Sequence, residues 1–100
     1  MSASPSVKEL CDLCHAIARS KGFWDKERNV GEALMLIVTE LAEAMEAHRQ
    51  QDKENFDEEL ADVFIRLFDL CGGMGIDIEA EIMKKCEKNK NRPYKHGKIC

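Results

Sequence analysis

Apolar residues recur at helical spacing through four successive stretches of the chain, and no stretch alternates as a half-buried strand does. Val7, Leu10, Cys11, Cys14, Ile17 and Ala18 mark one face of a first helix. Ser4-Pro5 suits its start, Ser as N-cap and Pro in the first helical position, and Ser6 with Glu9 would serve equally as a capping box. Gly22 ends it. Asn29, with Glu32 three residues on, starts a second helix that runs to about Arg49. Turn character across residues 49–53 folds a third helix back antiparallel, beginning at Asp52 or Asn55, and Gly72-Gly73 and Gly75 stop it near Cys71. A fourth helix starts at Ile76 or Asp77, with Ile78, Ile82 and Cys86 as its apolar side. Pro93 closes it, and the tail reads as an extended arm. The expectation is a single all-α domain, a four-helix bundle with a core of about 6–92 and a basic arm of about 93–100.

Two polar features interrupt this pattern. At about 100° per residue, Glu40 falls between Leu36 and Ala47 on one side and Ala33 and Ala44 on the other, inside the apolar arc of the second helix. A carboxylate there is costly unless it is paired or bound to metal. A buried ion pair with an Arg of another helix would satisfy it without any function. The third helix is apolar over most of its circumference but carries one polar stripe, Glu59, Asp62, Arg66 and Asp69. The plain reading of that stripe is a solvated face; the alternative is a stripe that lines a cleft, since so wide an apolar arc implies that several helices cover this one.

Glu40 and Glu43, then Glu59 and Asp62, are carboxylate pairs three residues apart, each on one helix face. An acidic chain of this length holds about three or four such pairs by chance, so spacing alone says little. Their placement on facing antiparallel helices says more. Four carboxylates can converge there, and oxygen-only donors suit Mg²⁺ or Mn²⁺ rather than zinc. Cys11-Asp12-Leu13-Cys14-His15 has the haem c attachment spacing and half of a zinc site, but both cysteines fall on the apolar stripe and no second close Cys or His pair exists. They are expected to pack in the core. His48, on the apolar arc, reads as a packed histidine. Trp24, the single Trp, either packs over helix ends or offers a base a stacking surface worth ~1–3 kcal/mol.

Composition narrows the choices further. One hundred residues make a small core, for which association with further copies is a common remedy. The expected state is a homodimer or homotetramer with the second and third helices at the interface. The net charge of −4 argues against a general nucleic-acid binder. Residues 84–98 alone sum to +6, leaving −10 for the rest, a division that suits a metal-bound polyphosphate. Apolar runs fall short of the roughly 20 residues that span a bilayer. The first residues lack a basic region followed by an apolar core, and five cysteines without such a signal read as reduced thiols in the cytoplasm.

Taken together, Glu40-x-x-Glu43 followed by Glu59-x-x-Asp62 resembles the metal-binding motif of the MazG-like all-α nucleoside triphosphate pyrophosphatases. Lys85, Asn89 and Arg92, with Pro93 just after, resemble the family's basic segment associated with triphosphate contacts. Gly22-Phe23-Trp24 with Arg28-Asn29 resembles the segment that shapes its base pocket. The likeness spans roughly residues 23–98 in the family's order. One departure is Thr39, where many members carry an additional Glu, and tandem members have two such domains where this chain has one. The resemblance implies Mg²⁺-dependent hydrolysis of a nucleoside triphosphate between its α and β phosphates, serving as nucleotide-pool housecleaning. Glu40, Glu43, Glu59 and Asp62 would be metal ligands, with Glu40 or Glu43 orienting the attacking water. Lys85, Asn89 and Arg92 would contact phosphates, and Trp24 the base. A rival reading is a non-catalytic helical dimer that uses its basic arm to hold RNA or a protein partner. A di-iron bundle ranks below both, because it wants Glu-x-x-His motifs that are absent here.

Overall fold

A computed structural model describes residues 3–97 and contains four α-helices, with no strand among the described residues. Helix α1 spans Val7–Ser20, α2 Val30–Arg49, α3 Lys53–Met74 and α4 Ile78–Lys90, and Tyr94–Gly97 forms a single 3₁₀ turn. Local chemistry sets each start. Ser6, not Ser4, caps α1, in a reciprocal capping box with Glu9. Asn29, Asp52 and Asp77 cap the other three, each accepting a backbone N–H through its side chain.

Two elements depart from the expectation. Helix α3 does not stop at Cys71 but continues through Gly72 and Gly73 to Met74, where Gly75 caps it in the left-handed conformation at φ 68°. The two glycines inside the helix are contact points rather than breakers. A methyl group on Gly72 would lie 2.8 Å from the Cys11 carbonyl oxygen, and one on Gly73 would overlap the Trp24 indole. The tail is likewise not extended: α4 ends at Lys90, before Pro93, and residues 94–97 turn back on themselves. Lys98 and the end of the basic arm lie outside the described residues.

Helix α3 is the centre of the fold and packs on α1 and on α2, while α4 is held to α1. The Val7 N–H donates to Glu79 Oε1 at 2.9 Å and ties the start of α1 to the start of α4. Three residues, with Gln51 at φ 56°, reverse the chain between α2 and α3. Helix α2 presents small residues to its neighbours: Ala33, Ala44 and Ala47 are buried together with Glu40. Its large residues Leu34, Val38, Leu41 and Met45 form a stripe that is exposed in the single chain. Helix α4 buries no residue, so the expected packing of Ile82 and Cys86 is not made within one chain.

The exposed area is 8039 Å², against about 5,800 Å² for a folded monomer of this mass. The radius of gyration, 16.1 Å, similarly exceeds the ~13 Å of a compact 100-residue domain. A single chain therefore leaves an unusual amount of surface uncovered, the large apolar residues of α2 among it.

Candidate metal centre and cleft

The sequence of α2 buries a carboxylate. Glu40 shares its helix face with Ala33, Ala44 and Ala47, and these small side chains bring it against α3. There it meets Arg66, whose Nε–H donates to Glu40 Oε1 at 3.0 Å. The ion pair open to a buried carboxylate at this position is therefore made, and its partner comes from the polar stripe of α3.

The pair does not account for the other acids. Oxygen atoms of Glu40, Glu43 and Glu59 all lie within 4.8 Å of one another, close enough to share one cation. Glu59 Oε2 is buried and has no hydrogen-bond partner among the described residues. The carboxyl of Glu43 beside it, then burial, then Glu40 push the Glu59 pKa up to about 7. Burial would raise Glu40 as well, but the Arg66 guanidinium and the Glu59 carboxyl outweigh it and hold Glu40 below its ordinary value. A proton on Glu59 thus does what a cation would do: it relieves three crowded carboxylates. Asp62, one turn on from Glu59, is not within that close group but lines the adjoining cleft with Glu40.

That cleft has a volume of about 580 Å³, in the range of small-molecule sites. Its floor is the α3 stripe, Asp62, Arg66 and Asp69, with Ile65 beside it. Its wall is the apolar side of α1, Leu10, Leu13, Cys14 and Ile17, continued by Phe23 and Arg28. Glu40 and Asp62 are its carboxylates nearest the acidic cluster, and among the apolar side chains elsewhere stand Lys21, Arg28, Arg66 and Asp69. Cys11 is buried as expected, whereas Cys14 is half-buried and lines this wall instead of the core.

Trp24 sits beside the cleft rather than in it. Its ring lies against Gly73, and its Nε1–H donates to Asp69 Oδ1 at 2.8 Å. His15 Nδ1 lies 3.0 Å from the same oxygen and edge-on to the Trp24 ring, with centroids 4.9 Å apart. Because a carboxylate only accepts, the hydrogen of that contact belongs to Nδ1. Arg28 lies 5.6 Å from the Trp24 ring centre and 5.7 Å from that of Phe23. The aromatic residue in the cleft itself is Phe23. Lys85, Asn89 and Arg92 share one face of α4 and its end, and none of them lines the cleft. Asn89 Oδ1 is buried without a partner among the described residues. Thr39, the position at which the chain departs from the family pattern, turns its hydroxyl back to the Met35 carbonyl. His48 is exposed beside the Phe56 ring, not packed as expected, because α2 rotates its alanines inward there.

Phe23 and Arg28 line the cleft, in the segment whose likeness pointed to a base pocket. The bonds of His15 and Trp24 to Asp69 escape sequence reasoning, because His15 sits in a metal-like spacing and the connector carries no periodicity. Among the described residues no helix is long and apolar enough to cross a membrane, and the four described cysteines are free.

No curated protein and no solved structure matched the chain. A family model described as the MazG-like family matches residues 29–99. The match takes in α2, α3 and α4 and all four motif carboxylates, and it starts after Trp24. A match over most of the length, on a four-helix all-α fold with an acidic cluster between α2 and α3, places this chain in the MazG-like family.

Proposed function

We propose that the protein is a Mg²⁺-dependent nucleoside triphosphate pyrophosphohydrolase, which cleaves between the α and β phosphates to give the monophosphate and pyrophosphate. The observation that carries this reading is the convergence of Glu40, Glu43 and Glu59, from two antiparallel helices, at the end of a nucleotide-sized cleft. An all-oxygen donor set and the orphaned Glu59 Oε2 fit a hard divalent ion, Mg²⁺ or Mn²⁺. Glu40, Glu43, Glu59 and Asp62 would hold it. When bound, such an ion neutralises phosphate oxygens and lowers the pKa of a bound water.

The chain's own residues supply the rest. Glu40 is fixed by Arg66, which leaves the exposed Glu43 as the carboxylate that accepts the proton of the attacking water. Arg66 lines the cleft and places positive charge beside the phosphates. The apolar wall of α1 with Phe23 receives the nucleoside. Lys85, Asn89 and Arg92 contribute phosphate contacts when α4 is brought over the carboxylates in the assembled protein. A second copy of the chain covers the Leu34, Val38, Leu41 and Met45 stripe of α2, for which the excess exposed area argues.

Glu43→Gln and Asp62→Asn should each abolish hydrolysis while the helical content of the protein is kept. If either kept most of its turnover, the metal assignment would be wrong. A binding module that uses the basic arm predicts instead no divalent-metal requirement and no loss from Glu43→Gln.

A further inference from the structure

One group in the cleft has no part in phosphate chemistry. Asp69 is buried at 7 % exposure, yet it lines the cleft. It lies seven residues beyond Asp62 on the same face of α3, about 10 Å along the helix axis. That offset is about the length of a nucleoside, so a nucleotide whose phosphates meet Glu40 and Asp62 brings its base to Asp69.

The two oxygens of Asp69 are not equivalent. Oδ1 takes both the Trp24 indole N–H, at 2.8 Å, and the His15 ring Nδ1, at 3.0 Å. Oδ2 accepts no hydrogen bond among the described residues, and it is not sealed from the cleft as Glu59 Oε2 is sealed from solvent. Two donors on one oxygen fix the plane of the carboxylate. Trp24 is itself held against Gly73, where no larger residue fits. The side chain is thus a rigid acceptor in the cleft, held by three elements, α1, the connector and α3, with the cations Lys21 and Arg28 also lining the cleft.

We propose that Asp69 is the base-discriminating residue of this cleft and selects nucleotides whose base presents an exocyclic amino group there, such as cytosine or adenine, over the keto counterparts uracil and hypoxanthine. This rests on the nucleotide reading above. An amino group donates to Oδ2. A keto oxygen at the same place meets a carboxylate oxygen, acceptor against acceptor, and leaves a buried polar group unpaired. The ring N–H of uracil does not rescue it, because two carbonyl oxygens flank that N–H and approach the carboxylate with it. Trp24 and His15 act as positioning residues for Asp69.

The test measures binding and turnover separately. Analogues of CTP and UTP with an imido bridge between the α and β phosphorus atoms, which resist cleavage there, are titrated calorimetrically with Mg²⁺ present. The cytosine analogue should bind at least about tenfold more tightly than the uracil one. Asp69→Asn should reverse the order. The Trp24 N–H still needs an acceptor, so the amide oxygen keeps the Oδ1 place and the amide NH₂ turns to the cleft as a donor. A merely structural role for Asp69 would weaken both analogues alike. Equal affinity of the wild-type protein for the two analogues, a preference for uracil, or no binding of either would each overturn the proposal. Discrimination in binding without release of pyrophosphate from CTP would overturn the hydrolase reading and leave Asp69 in its role. Pyrophosphate release at equal kcat/KM from CTP and UTP would do the reverse.

Discussion

Gly73→Ala changes the α3 surface by one methyl group and should be destabilising, against the usual effect of such a change. In the interior of a helix, Gly to Ala ordinarily stabilises by roughly 1 kcal/mol. Here the methyl would overlap the Trp24 indole. The ring has little freedom to yield, since its N–H is committed to the buried Asp69. Forcing a methyl into a filled contact costs ~1–3 kcal/mol, so clash exceeds propensity by up to about 2 kcal/mol. For a domain of this length that lowers the melting temperature by up to roughly 15 °C. In a Trp24→Ala background the obstacle is gone, and the same Gly73→Ala change should stabilise by up to about 1 kcal/mol. The difference between the two backgrounds, a coupling of about 1–3 kcal/mol, is the diagnostic quantity. Thermal unfolding of the wild type, both single variants and the double variant, at one fixed protein concentration, reads it out. If Gly73→Ala matched or exceeded wild-type stability with Trp24 present, or cost the same in both backgrounds, the Trp24–α3 contact would be wrong. The anchoring of Asp69 would fall with it.

Three further outcomes follow from the acidic cluster and the uncovered surface. With metal removed, the raised Glu59 pKa makes its contribution to stability fully present below the ordinary value of 4.5, and that contribution is lost as pH rises through about 7. Unfolding followed from pH 5 to pH 8 in EDTA should show this decline, Glu59→Gln should flatten it, and Mg²⁺ affinity should rise over the same window as the proton is displaced. Arg66→Met leaves the Glu40 carboxylate without its hydrogen-bond partner and should destabilise the metal-free protein by about 1–3 kcal/mol, with Mg²⁺ recovering part of the loss. An equal effect with and without Mg²⁺ would separate Arg66 from the site. Sedimentation at micromolar concentration should give a dimer or tetramer, and Leu41→Lys on the exposed α2 stripe should shift it toward monomer. A monomeric wild type would refute the covered-face reading.

Much of this was legible in the sequence because short-range rules set it. The caps at Asn29, Asp52 and Asp77 are local side chain to backbone bonds, and they begin α2, α3 and α4 where the pattern puts them. Glu40 was legible as buried because an apolar arc surrounds it in sequence. What was not legible depended on distant contacts. Gly72 and Gly73 look like helix breakers until Cys11, His15 and Trp24 are seen against them. Arg66 could be placed on a polar stripe, but its bond to Glu40 joins residues 26 apart. His15 and Trp24 meet at Asp69 across 54 and 45 residues, which no spacing rule reaches. His48 was misread because the alanines of α2, rather than its larger residues, turn inward.

The central claim is metal-dependent cleavage between the α and β phosphates. It is tested most directly by incubating the purified protein with each common NTP and dNTP, with Mg²⁺ or with EDTA, and following monophosphate, pyrophosphate and orthophosphate separately. The account predicts equimolar monophosphate and pyrophosphate with Mg²⁺, none with EDTA, and none from Glu43→Gln. Orthophosphate with a diphosphate product, or turnover that persists in EDTA, would contradict it.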